Sequence, residues 1–103
     1  MISPSRPHDL TVVELLREDP ALVDEYLAVA MEEVDEEGGQ QALLAALRHV
    51  AEAQGMAAVA ERAGITRDSL YHALSPTGNP TMKTLFAVLD AAGLKLTVSR
   101  AAA

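Results

Sequence analysis

Thr66, Arg67, Asp68, Ser69, Tyr71 and His72 surround a single leucine, Leu70, in one short stretch of the chain. They place cationic, hydroxyl and imidazole groups on the outer side of a helix. That is the chemistry that meets a phosphate backbone or reads the edges of base pairs. Arg67 and His72 are the best donors toward bases or phosphates, and arginine on guanine is the commonest specific contact in the major groove. Tyr71 offers a phosphate hydrogen bond or an apolar contact to a thymine methyl, or else partial core packing. Asp68 accepts from cytosine or pairs locally with Arg67. Thr66 and Ser69 reach phosphates, although Thr66 serves equally as a helix cap. Further along, Lys83 and the backbone amides near Asn79 are placed to hold phosphate at the start of a later helix.

The element that must position these groups is the segment from Met56 to Ser75, MAAVAERAGITRDSLYHALS. It reads as two short helices joined by a tight turn at Gly64. Val59, Ala60, Ala63, Ile65, Leu70 and Ala73 fall where the helices face each other. The small Ala60 lets them cross closely, and Ile65 plugs the space beneath the turn. Gly64 ends the first helix at a position that favours positive φ. Thr66 then caps the second helix. The spacing is that of a helix-turn-helix, whose second helix lies in the DNA major groove. A plain helical hairpin in a bundle uses the same residues, and the lack of a basic run keeps that alternative open.

Enzymatic constellations are missing from the sequence. His8, His49 and His72 stand far apart and lack a ligand cluster. Ser69 and His72 could touch on one helix face, but no oxyanion cradle or third orienting residue accompanies them. The run Glu32, Glu33, Asp35, Glu36, Glu37 lacks the ligand alternation and turn of a calcium loop. It reads as a solvated face or a surface for a basic partner. The chain is therefore expected to be a binder rather than an enzyme, with no cofactor and no metal.

With 103 residues, half of them apolar, the chain suggests one small domain. It contains no cysteine, which excludes disulfides and thiolate metal sites and is compatible with a reducing cytoplasm. No apolar run is long enough for a membrane span, and MISPSRPHD lacks the apolar centre of a signal peptide. The formal charge is −7, but it is unevenly distributed. Residues 1–55 hold three arginines against twelve acids, a net of −9; residues 56–103 hold five basic residues against three acids, a net of +2. A weakly basic head on an acidic body predicts two partners, one of them DNA and the other positively charged.

The expected architecture is an all-α bundle of roughly five to six helices with a short C-terminal β-strand. Residues 1–8 are expected to be a flexible tail and residues 9–103 a single helical domain. Within it, residues 9–54 form leading acidic helices, 55–92 the helix-turn-helix core and 93–103 the strand and tail. Asp19-Pro20 is a helix-start signal, with a capping carboxylate and a proline at the first helical position. Acids at the end of that helix oppose its dipole, and Gly38-Gly39 breaks it. Helices over 40–54 and 81–92 follow from the spacing of Leu43, Leu44, Leu47 and Val50, and of Met82, Leu85, Phe86 and Leu89. Leu94, Leu96 and Val98 alternate with polar residues, a strand signal of period two. A lone strand needs a partner, so these three residues are candidates for pairing with a second copy or with a different protein. An irregular tail over the last helix is the other solution.

From Gly55 onward, GMAAVAERAGITRDSLYHALSPTGNPTMKTLFAVLDAAGLKLTV resembles the Xre-type, HigA-like antidotes of chromosomal addiction modules. DSLYHALS, the triplet Gly78-Asn79-Pro80 and the ending AAGLKLTV carry the resemblance most specifically. HDLTVVELL and ALVDEYLAVAM are similar to the family's two leading helices. The resemblance implies a homodimer that represses its own operon at double-stranded operator DNA. It also implies a small basic partner of the RelE/ParE-like toxin superfamily; on the antidote hypothesis neutralisation is mechanical, the acidic leading helices covering or displacing the toxin's cationic active surface. Ala57 and Ala58 stand where relatives often carry Ser-Gln, which implies weaker DNA binding here. A stand-alone Xre-type regulator without a toxin, and an interaction module that has lost DNA binding, are the alternative functions.

Overall fold

A computed structural model describes residues 5–101, with side chains from Asp9 onward. Its helices are α1 (Ser5–Glu18), α2 (Leu22–Glu32), α3 (Gly39–Gln54), α4 (Met56–Ala63), α5 (Arg67–Ala73) and α6 (Met82–Ala91). The all-helical bundle follows from apolar residues recurring at helical spacing. α3 is the shared support. It packs against α1 and α2 and turns directly into α4, which in turn carries α5 and α6.

Two apolar clusters meet at α3. Leu47 and Ala51 join Met56, Val59, Ala60, Leu70, Leu74, Val88, Leu89 and Ala91 in the larger one. Val50 joins Leu16 and Val23 in the smaller one, under α1 and α2. Burying a side chain such as Leu70 or Val59 completely contributes roughly 1.5–3 kcal/mol. The larger cluster thus anchors α4, α5 and α6 to the end of α3.

Helix ends shift from expectation for local reasons. α1 already begins at Ser5, and residues 1–4 of the expected tail lie outside the described residues. α2 begins at Leu22 rather than Pro20. The Asp19 carboxylate accepts the Ala21 N–H at 3.3 Å within a preceding turn, so it organises the turn instead of capping the helix. After Glu32 the acidic run continues as successive turns, with Glu36 N–H donating to the Glu33 carbonyl at 3.0 Å and Gly39 N–H to that of Glu36 at 2.9 Å. Extending α2 would stack like charges on its negative dipole end.

The expected C-terminal strand is not formed; no strand occurs among the described residues. Gly93 takes φ 78° and closes α6. Leu94 N–H then donates back to the Leu89 carbonyl at 2.8 Å, which folds the Leu94 side chain onto both clusters. Beyond that cap the alternation has no ladder to join. Leu96 is 46% exposed and Val98 is 99% exposed. The edge proposed for Leu94, Leu96 and Val98 is therefore absent: Leu94 is a helix cap contact, and the other two project from an irregular segment.

Candidate nucleic-acid interface

α4 and α5 are joined through Gly64, Ile65 and Thr66. Gly64 has φ 76°, a left-handed conformation that glycine enters without Cβ strain. Its N–H bonds the Glu61 carbonyl at 3.1 Å, and Ile65 N–H bonds that of Ala60 at 3.1 Å. This paired closure turns Ile65 back onto the core beside Ala60. Thr66 then adopts extended backbone, and its hydroxyl accepts Ser69 N–H at 3.0 Å. The result is an N-capped α5 set off from α4 by a turn with no slack residue.

α5 is held from beneath by Leu70 and Leu74, which are essentially inaccessible. Two contacts from outside its own sequence hold its far end. Arg48 of α3 donates from Nη1 to the Leu74 carbonyl at 2.8 Å, while its Nε lies 3.6 Å from Glu52 Oε1. Gly78 packs so closely under α5 that a Cβ would enter the Ala73 and His72 carbonyls. The loop then reaches Thr81, whose hydroxyl caps α6 by accepting Thr84 N–H at 3.1 Å.

With α5 fixed this way, Thr66, Arg67, Asp68, Ser69, Tyr71 and His72 are all exposed. Arg67 stands over the Tyr71 ring, its guanidinium carbon 5.6 Å from the centroid. Tyr71 is thus a platform for Arg67 rather than a core residue. Asp68 makes no ion pair with Arg67 among the described residues. The Thr66 hydroxyl donates to that of Ser69 at 2.8 Å, so these two act as a unit. Asn79 and Lys83 are exposed on the loop and on the first turn of α6. Ala57 and Ala58 are exposed at the head of α4, where Gly55 supplies no side-chain cap. Ala57, Arg67 and Tyr71 line one groove of 470 Å³ together with residues of α1.

Three arginine contacts that shape this site have no signature in the sequence. Arg17 reaches the Glu52 carbonyl at 3.2 Å, Arg48 that of Leu74, and Arg62 that of Ala91 at 2.8 Å. Each satisfies carbonyls left open at a helix C-terminus. Nor was His49 legible. It is buried, with Nδ1 2.6 Å from the Tyr26 hydroxyl and Nε2 3.1 Å from Asp9 Oδ1. Asp9 at Nε2 favours the tautomer protonated there, so Nδ1 accepts from Tyr26. The interaction of Nε2 with Asp9 is an electrostatic attraction. Burial is the main cause that pushes the His49 pKa down and the Tyr26 pKa up.

The family model for a "probable addiction module antidote protein" matches residues 6–100. The chain belongs to this antidote family. A Haemophilus influenzae protein described as uncharacterized is 38% identical over 77 residues, covering 75% of this chain and 79% of its own. No solved structure matches significantly. Antidote membership supports an antitoxin role and implies a toxin partner. Among the described residues of the antidote, no helix is long and apolar enough to cross a membrane, and no cluster of three or more His, Asp or Glu could hold a metal ion.

Proposed function

We propose that this antidote is a DNA-binding antitoxin of Xre type that represses its own operon as a dimer and neutralises a RelE/ParE-like toxin. The observation that carries the DNA reading is α5 itself. Leu70 and Leu74 fix one side of it in the core, while the other side presents Arg67, Tyr71 and His72 without competing ion pairs among the described residues. On this reading α4 and α5 are the helix-turn-helix and α5 enters the major groove. Arg67, Asp68 and His72 face base edges. Thr66, Ser69, Tyr71, Asn79 and Lys83 contact phosphates, with the uncapped N–H groups of Ala57 and Ala58 helping in place of the missing Ser-Gln side chains.

A reading helix as short as α5 spans few base pairs, so two copies on a palindrome supply the needed contacts. Leu96 and Val98 offer exposed apolar side chains to the second copy. The toxin side rests on family membership and on the acids of α1, α2 and the turns that follow, which suit a cationic partner.

Titration of the upstream DNA with the natural protein and with Arg67→Ala tests the reading. The variant should bind the operator more weakly by ~1–3 kcal/mol and with relaxed base preference. Unchanged affinity and base preference would remove α5 as the reading helix. Co-purification with the product of the adjacent gene tests the toxin assignment.

A further inference from the structure

α1 and α5 line opposite parts of a groove whose other residues come from the end of α3 and the head of α4. Glu14 of α1 lines the same 470 Å³ groove as Arg67, Tyr71 and Ala57. The neighbouring 580 Å³ groove continues past Leu10 and Tyr71 to Asp9. The charges along this path are not equally available. Arg17 and Arg48 are directed into helix-end carbonyls, Asp9 toward His49, and Glu52 toward Arg48. Among the described residues this leaves Arg67, stacked on Tyr71, as the groove cation without a carbonyl or carboxylate partner, and Glu14 as the groove anion without an ion pair.

We propose that α1 acts as an electrostatic guard over the reading helix, with Glu14 repelling the phosphates that Arg67 and the head of α4 attract. The inference rests on the DNA-binding reading above and adds a restraint to it. Repulsion from Glu14 acts on any duplex, whatever its sequence. It therefore lowers indiscriminate binding and leaves occupancy dependent on the base contacts of α5. A unit charge within about 10 Å of a phosphate in water changes affinity about twofold, and salt screens it over about 8–10 Å.

The test compares Glu14→Gln and Glu14→Lys with Glu33→Gln, which removes an exposed acid lining neither groove. Affinities for the upstream fragment and for a random duplex are measured at about 50 mM and 300 mM salt. Glu14→Gln should tighten both about two- to threefold at the lower salt, Glu14→Lys further, and both gains should vanish at the higher salt. Glu14 is exposed within α1, so these variants keep the fold, which far-UV circular dichroism checks. No gain for Glu14→Gln, or an equal gain for Glu33→Gln, overturns the guard. Arg67→Ala in the same assay separates the two ideas. If it weakens binding while the Glu14 variants do nothing, only the guard fails. If it leaves binding unchanged, the DNA reading fails and the guard falls with it.

Discussion

Replacing Tyr26 by phenylalanine removes one hydroxyl and leaves His49 Nδ1 without a donor inside the bundle. His49 is 4% exposed, so water does not readily replace the 2.6 Å contact. A buried polar atom that loses its partner costs ~1–3 kcal/mol. Taking ~2 kcal/mol, the thermal midpoint of a domain near this size should fall by about 8–16 °C. Thermal unfolding followed by far-UV circular dichroism reads the change. The double variant Tyr26→Phe, His49→Leu removes both polar groups and sets an aliphatic side chain near a phenyl ring that packs on Leu16, Val23 and Val50. It should be less destabilised than the two single variants added together, because neither group is left alone. A loss below about 0.5 kcal/mol for Tyr26→Phe would refute the reasoning, because it would mean that the hydroxyl does not satisfy the imidazole.

The same histidine predicts a pH dependence. Burial holds its pKa below the ordinary value; Asp9 and Glu52 pull it upward and Arg48 pushes it further down. The folded state then binds fewer protons than the unfolded state, so the stabilisation is intact above about pH 6.5 and is lost as pH falls through the folded pKa. Urea midpoints at about pH 7.5 and 5.5 should show this loss, and His49→Leu should reduce it; a midpoint that falls no further in the natural protein than in His49→Leu refutes it. Gly78→Ala should destabilise the fold by ~1–3 kcal/mol, since its Cβ would stand 2.8 Å from the Ala73 carbonyl carbon and 2.9 Å from the His72 oxygen. A midpoint unchanged in urea would show that the loop yields without disturbing α5.

The parts of this fold that were legible in the sequence are those whose causes lie close together along the chain. Val59, Ala60 and Ala63 share one face of α4, and Leu70 and Leu74 one face of α5, so helical spacing alone places them inward. Gly64 and Thr66 act on N–H groups and carbonyls within a few residues, so the turn and the cap were visible too. Once those were placed, the exposure of Arg67 and His72 followed. The period of Leu94, Leu96 and Val98 misled because alternation describes a strand only where a ladder exists. Here Leu94 answers to Leu89 as part of a helix cap. Tyr26 and His49 are 23 residues apart, and no local rule joins them.

Arginine placement changes what the charge split means. The net charge of residues 56–103 counts Arg62 as a cation available to phosphate. In the fold its Nε donates to the Ala91 carbonyl and its Nη2 lies 3.2 Å from Gln54 Oε1, while Gln54 itself donates to the Ala92 carbonyl. Arg17 and Arg48 do the same work for α3 and α5. A guanidinium satisfies several carbonyls of one helix end because its N–H groups are coplanar and forked, which a lysine ammonium does not match. These arginines therefore tie the ends of α3, α5 and α6 to neighbouring helices, and they are poor candidates for mobile phosphate contacts. Among the described residues, the lysines and arginines left to face a duplex are Arg67, Lys83, Lys95 and Arg100, all exposed. With so few, affinity under the proposed function must lean on the shape of α5 and on backbone N–H groups, and a single opposing carboxylate such as Glu14 carries more weight than it would on a strongly basic protein.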